Sequence, residues 1–201
     1  PLRPYPVSMT DNGNTLMIVD GTAGGWTVDL ASDAFAAIND EAFYGADRVD
    51  FLDTYFLFNK PGTPQFYSSD SLATTFDSLW FANKSSFSDL LISLAVAKRE
   101  IWLLGERTTE IWYNAGAEDF PFQQIQSVFV DHGCRAKYSV ATYDDKVLWL
   151  SYSRAGQGIV MLGADYKTTR ISTYAIEAEI AGYSRIDDAI GFVYTLSGHV
   201  C

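Results

Sequence analysis

A chain of 201 residues, 48% hydrophobic and 15% aromatic, is long enough to bury a sizeable core and too apolar to remain disordered. Its 25 acidic residues against 14 basic ones leave a net charge of −11, with the basic residues scattered. That excludes a direct, sequence-specific DNA or RNA binder, because backbone affinity needs clustered Lys and Arg to displace counterions. No window reaches the roughly 18 consecutive apolar residues of a membrane span, so no membrane partner is expected either.

The first six residues hold Pro1, Pro4 and Pro6 and read as an extended lead-in. The turn Asp11-Asn12-Gly13-Asn14 precedes a strand from Leu16 to Val19, and the glycine-rich Gly21 to Gly25 precedes a second from Trp26 to Leu30. Residues 32 to 43 read as a short helix with Phe35, Ile38 and Ala42 on one face. Val49 to Leu52 then leads through Asp53-Thr54 into Tyr55 to Phe58, and Lys60-Pro61-Gly62-Thr63 turns the chain into Gln65 to Ser68. Leu90 to Ala97 leads through Lys98-Arg99-Glu100 into Ile101 to Leu104, which returns after Gly105 to Thr109 along Glu110 to Tyr113. This hairpin is apolar on both faces, where a half-exposed sheet would alternate, so it is predicted to be sandwiched between two other sheets.

Tyr138 to Tyr143 leads through Asp144-Asp145-Lys146 into Val147 to Ser151, then a turn at Arg154 to Gln157, then Gly158 to Leu162. Ser172 or Thr173 is positioned to cap a helix lying between blades, with Ile176 and Ile180 four apart on one face and Gly182 at its end. Tyr183 to Asp187 leads through Asp188 into Ile190 to Thr195, and Ser197-Gly198 opens a further turn. Tight turns near positions 13, 53, 99, 145 and 188 thus recur at steps of about 40 to 46 residues, within the range of propeller blades. The expected fold is an all-β, β-propeller-like array of four-stranded antiparallel blades. One such domain spans 1–201, with about four blades and the start of a fifth, as a fragment of a longer chain, a reading that the missing initiating Met favours. The five turns should share one rim.

Candidate sites are few. His132-Gly133-Cys134 brings an imidazole and a thiol close, but zinc takes three or four ligands and the one other histidine is His199, so His132 and Cys134 are expected to serve packing. Cys134 and Cys201 form no disulfide framework and suit a reducing compartment. The acidic pairs Glu118-Asp119, Asp144-Asp145 and Asp187-Asp188 resemble a glycosidase carboxylate pair only superficially, since neighbours on a strand point apart and Asp is favoured in turns. In Glu118-Asp119-Phe120-Pro121-Phe122, Pro121 keeps Phe120 extended and both phenylalanines are predicted to plug the seam to the next blade. Asn83-Lys84-Ser85 fits a glycosylation sequon with no other sign of secretion, and Asp11-Asn12-Gly13-Asn14 lacks the later Glu of a calcium loop. No catalytic, metal or cofactor residue is assigned.

REIWLLGERTTEIWYN (Arg99 to Asn114), DFPF (Asp119 to Phe122), HGC (His132 to Cys134) and AKYSV (Ala136 to Val140) resemble the packaged-DNA stabilisation proteins, or tail accessory and tail hub proteins, of short-tailed phages. Weaker similarity runs back through Phe43 to Asp70 and Thr74 to Ala82, and forward through Gly156 to Gly158, Arg170 to Thr173 and Ser184 to Ile190, covering about three quarters of the chain. The resemblance implies a non-enzymatic virion protein of the tail, assembled in the host cytoplasm. It would close the portal after DNA packaging and bridge the portal adaptor to distal tail or needle proteins as a homohexameric ring. The alternative is a glycan-binding or glycan-hydrolysing propeller of the sialidase kind, which needs an arginine cluster and paired acids on one face; neither is visible in the sequence.

Overall fold

Sixteen strands laid down as four consecutive antiparallel meanders form the body of the protein in its computed structural model, which describes residues 6–200 apart from 88 and 198, with backbone alone at 199 and 200. The first sheet holds β1 (Ser8–Asp11), β2 (Thr15–Val19), β3 (Gly25–Asp29) and β4 (Phe35–Ala37), and the second β5 (Val49–Leu52), β6 (Tyr55–Asn59), β7 (Gln65–Ser68) and β8 (Phe81–Asn83). The third holds β9 (Leu91–Ala97), β10 (Glu100–Gly105), β11 (Thr109–Asn114) and β12 (Phe122–Gln124), and the fourth β13 (Ala141–Tyr143), β14 (Lys146–Tyr152), β15 (Gly158–Ala164) and β16 (Lys167–Arg170). A helix, α1 (Tyr174–Gly182), and a hairpin of β17 (Thr195–Leu196) and β18 (His199–Val200) follow. The all-β, blade-by-blade architecture expected from the repeat is what is found, with the four sheets not closed into a ring.

The first turn of each sheet explains the repeat. Gly13, Asp53, the pair Lys98 and Arg99, and Asp144 all have positive φ, the left-handed conformation that matches a tight hairpin turn to the twist of its strands. Gly and Asp enter that region at low cost, which is why Asp recurs there.

Strand alternation then decides what each sheet touches. In β10 and β11, Trp102, Leu104 and Ile111 point to one face and join Val147, Trp149, Ile159 and Met161 of the fourth sheet. Ile101, Leu103 and Trp112 point to the other and join Leu52, Leu57 and Phe66 of the second. The third sheet is therefore sandwiched, as its two-sided apolarity predicts. Each buried Trp contributes about 1.5–3 kcal/mol relative to exposure, so stacking rather than any single sheet stabilises the array. Between the first and second sheets the core is aromatic, with Phe43, Phe58, Tyr67 and Phe76 in mutual edge and stacked contact.

The innermost strand of each sheet lies against that of the next, β1 on β5, β5 on β9 and β9 on β13. Side chains tie this inner column to main chain. Ser8 Oγ donates to Val49 O at 3.3 Å and accepts from Val49 N at 3.1 Å, Val96 N donates to Asp50 Oδ2 at 2.8 Å, and Ser93 Oγ donates to Lys137 O at 2.9 Å. The column curves enough for non-neighbouring sheets to meet: Lys137 Nζ, in the linker before β13, bonds Asp47 Oδ1 at 2.5 Å. A Cβ on Gly21 would come within 2.9 Å of the same Asp47 oxygen and 3.2 Å of the Tyr138 hydroxyl.

Four expectations are corrected. Residues 32 to 43 hold β4 rather than a helix, because Asp29 Oδ1 accepts from Ala31 N and Ser32 N to fold a tight turn that sends Phe35 back along Val28. Of Tyr138 to Tyr143 only β13 is strand: Ser139 Oγ donates to Ala136 O and accepts from Leu150 N, holding the preceding residues in a turn. No strand forms over Tyr183 to Asp187 or Ile190 to Tyr194, since Arg185 pairs with Asp187 and Asp188 in a local turn. The next hairpin instead turns at Ser197, whose φ of +51° repeats the left-handed signature of the other first turns; α1 and the strap after it lengthen the spacing. Phe120 and Phe122 plug the seam to the preceding sheet rather than the following one, packing on Phe66, Trp112 and Tyr55. Strands β1, β4, β8, β12 and β16 are short and carried no strand signal in the sequence.

Helix α1 stands where expected, capped by Thr173, whose side chain accepts from Ile176 N. It is seated less by its isoleucines than by Glu177, which is buried and takes two bonds from Arg170 and one from Ser172. Ile176 stays half exposed while Ile180 rests on Gly158, where a Cβ would come within 2.6 Å of it. The helix lies on β15 of the fourth sheet. Pro1, Pro4, Gly198 and Cys201, and the side chain of His199, lie outside the described residues.

Candidate functional site

The strands run between two rims, one carrying the first and third turns of each sheet and the other the second turns and the links between sheets. The turns at Asp53, Lys98-Arg99 and Asp144-Asp145 share a rim. Arg99 pairs with Asp53 at 2.5 Å, and Asn114 Nδ2 donates to the same carboxylate at 2.9 Å. Lys98 pairs with Asp165 at 2.5 Å and lines a depression with Asp144 and Asp145. Ser8 and Val49 each open an innermost strand and bond each other, so β1 runs with β5 and the Asn12 turn joins this rim. Asp188 lies in the strap and is not a fifth member. The rim is acidic, and its salt bridges are exposed; the Lys98 hydrogen bond holds the Asp165 carboxyl below its usual range, and the same bond pushes Lys98 up.

The opposite rim contains a buried polar cluster that the sequence reading missed. Lys84, just after β8, has no exposed side-chain surface; its Nζ bonds Asp89 Oδ1 and, at 2.5 Å, Thr108 Oγ1, with Glu110 Oε1 at 4.0 Å. Glu110 is also fully buried and accepts from Ser86 N and Trp112 Nε1. Burial pushes the Asp89 carboxyl up, but the Lys84 bond and the amides of Arg107 and Thr108 outweigh it and hold the group below the usual carboxylate range. Gly105 leaves room for this cluster, since a Cβ there would lie 2.5 Å from Asp89 Oδ2. The one available signal was a Thr-Thr-Glu run inside an otherwise apolar hairpin, with a lysine midway through a sequon.

His132 and Cys134, two residues apart, both border one cleft but differ in burial. Cys134 is buried in the core between the third and fourth sheets, its thiol donating to Ala136 O at 3.1 Å and pushed up to about 12 by burial. His132 faces a cleft of about 740 Å³ between the Glu106-Arg107 loop of the third sheet and the Tyr152 to Gly156 loop of the fourth. Gly133 permits the close approach, because a Cβ would lie 2.4 Å from the Glu106 carbonyl and Arg107 N. No group of three or more metal-ligating side chains occurs among the described residues.

Arg107, Arg135 and Arg154 converge on this cleft from three separate segments, and Glu106 and Asp131 also line it. Among the described residues none of the three arginines forms an ion pair, whereas Arg99, Arg170 and Arg185 all do. Arg135 lies over the Tyr152 ring at 4.9 Å. The expectation of dispersed basic residues without an arginine cluster is thereby corrected: residues 107, 135 and 154 are far apart in sequence and meet only through sheet stacking. The acidic pairs do not converge, since Asp144-Asp145 sits in a turn of the acidic rim and Asp187-Asp188 in the strap.

Four stacked meanders with their first strands on one column define a β-propeller module. The family model described as bacteriophage P22 Gp10, beta-propeller, a phage stabilisation family, matches residues 3–197, and the chain belongs to that family. The family supports a phage virion structural protein. No curated protein matches the sequence. Among solved structures, the Myceliophteria thermophila Cps50 (Swd1) beta-propeller domain is similar at 10% identity and a TM-score of 0.55, over 96% of this chain and 65% of that one. BamB from Moraxella catarrhalis is similar at 10% identity and a TM-score of 0.52, over 84% of this chain and 48% of that one. The chain therefore spans about half to two thirds of these structures, and at such identity the likeness is one of fold. Among the described residues no helix is long and apolar enough to cross a membrane.

Proposed function

We propose that this chain belongs to the protein stack that closes the phage portal after packaging and bridges the portal adaptor to the distal tail or needle proteins. In this reading it works in the virion tail without catalysis, as part of a homohexameric ring assembled in the host cytoplasm. The family match over residues 3–197 carries the reading. The net charge of −11 supports it by physical argument: repeated around a ring, that charge repels a duplex carrying one negative charge per roughly 1.7 Å, so DNA is retained by obstruction and not by adhesion.

The test uses the full-length protein with its adaptor ring. Expected are negligible affinity for linear duplex DNA at near-physiological salt and salt-tolerant co-sedimentation with the adaptor, held mainly by apolar contacts. Sub-micromolar duplex binding that weakens steeply with added salt would overturn the proposal.

A further inference from the structure

The arginines of the cleft form no ion pair across the sheets among the described residues. The three guanidiniums come from the turn after β10, the link before β13 and the loop after β14, and each side chain is solvent-exposed. In a chain with an excess of eleven negative charges, arginine side chains that find no carboxylate partner are unexpected. Local pairing would have been easy: Glu106 and Asp131 line the same cleft, yet neither forms an ion pair with an arginine among the described residues. Arg135 helps lower the Asp187 carboxyl and lies over the Tyr152 ring. The cleft thus offers planar, forked donors, a shape that matches carboxylates two bonds at a time.

We infer that this cleft between the third and fourth sheets receives an acidic segment of a neighbouring protein chain, with Arg107, Arg135 and Arg154 taking its Asp or Glu side chains. The inference rests on the virion reading only in taking the partner for a protein. Size and charge select this occupant. A space of about 740 Å³ seats several side chains and not a duplex, and Glu106 and Asp131 repel a continuous polyanion while leaving the arginines open to spaced carboxylates. Three guanidiniums on separate segments also match several carboxylates on one chain better than a single small anion. Docking of this kind sets register and the rate of encounter between tail components, while apolar contacts carry most of the affinity.

The experiment is fluorescence anisotropy of a labelled, N-acetylated peptide of repeated Glu-Gly-Ser, whose carboxylates are spaced along the chain, with the full-length protein at low salt. Saturable binding is expected, weakened at least tenfold in Arg135→Glu/Arg154→Glu and less than twofold in Lys167→Glu on the acidic rim. Equal melting temperatures of the three proteins show that the variants fold. If charge reversal unfolds the protein, Arg135→Gln/Arg154→Gln replaces it, with a loss of at least fivefold expected. No saturable peptide binding, or an equal loss in Lys167→Glu, overturns the inference while leaving the virion reading intact. Tighter binding of a duplex overturns both. Stronger binding of 3′-sialyllactose than of peptide, or full competition by millimolar inorganic phosphate, also overturns it, in favour of a sugar acid or a small-anion site respectively.

Discussion

The two rims are built from the same strands and yet solve opposite problems. On the turn rim, two-residue turns with left-handed φ leave their charges in water, and the sheets are laced by exposed pairs such as Arg99 with Asp53 and Lys98 with Asp165. On the opposite rim, charges such as Lys84 and Glu110 go fully inside, and Arg107, Arg135 and Arg154 stay outside and form no ion pair among the described residues. The difference teaches where charge matters in this molecule. Exposed pairs add little to stability because solvent screens them, buried ones cannot be broken without large cost, and unpaired ones remain available to a partner.

Breaking the buried side should have the largest effect. Lys84→Ala strands Asp89 and Glu110 without their cation and is expected to cost about 3–5 kcal/mol, read from denaturant unfolding midpoints. Next comes Gly133→Ala, which drives a Cβ into the Glu106 backbone; about 1–3 kcal/mol of destabilisation is expected, with weaker peptide binding as the cleft distorts. Acid titration sharpens the comparison. The folded-state pKa of Asp89 is depressed, so its stabilising contribution is whole above the unfolded carboxyl value of about 3.9 and is lost as pH falls through the lower folded value. Unfolding curves collected from pH 6 down should therefore show wild type converging on Asp89→Asn at low pH, and persistence of the full gap into strong acid would contradict the assignment. The smallest effect belongs to the turn rim, where Arg99→Ala is expected to cost about 0–1 kcal/mol, read from the same unfolding midpoints.

The blade pattern was legible because it is local chemistry. Apolar runs of strand length, separated by Asp, Gly or Lys-Arg turns, state both the hairpins and their spacing, and Val49–Leu52 and Gln65–Ser68 fall where the residues put them. Short outer strands such as Phe81–Asn83 and Phe122–Gln124 carry too few residues for any periodicity to register. The arginine cleft and the Lys84 cluster were invisible for a different reason. Each draws on segments distant in sequence, and only the order in which sheets stack brings Arg107 beside Arg154, or Lys84 beside Thr108. Cys134 was read correctly as a buried apolar residue, whereas His132, two residues away, could not be told from it because the chain turns between core and cleft at Gly133.

The rim-to-rim direction of every strand also has a mechanical meaning. Ladder hydrogen bonds in an antiparallel sheet stand perpendicular to the strands. A push delivered to one rim and resisted at the other therefore runs along the strands and loads those bonds in shear, all at once, instead of peeling them one after another. In the fourth sheet, the β14–β15 pair alone spreads such a load from Val147↔Gly163 to Tyr152↔Gly158, and the Ser8, Asp50 and Ser93 bonds of the inner column pass part of it sideways to the adjoining sheet. A stack of blades so arranged is stiff along its axis and compliant around it, the mechanical character of a washer under compression.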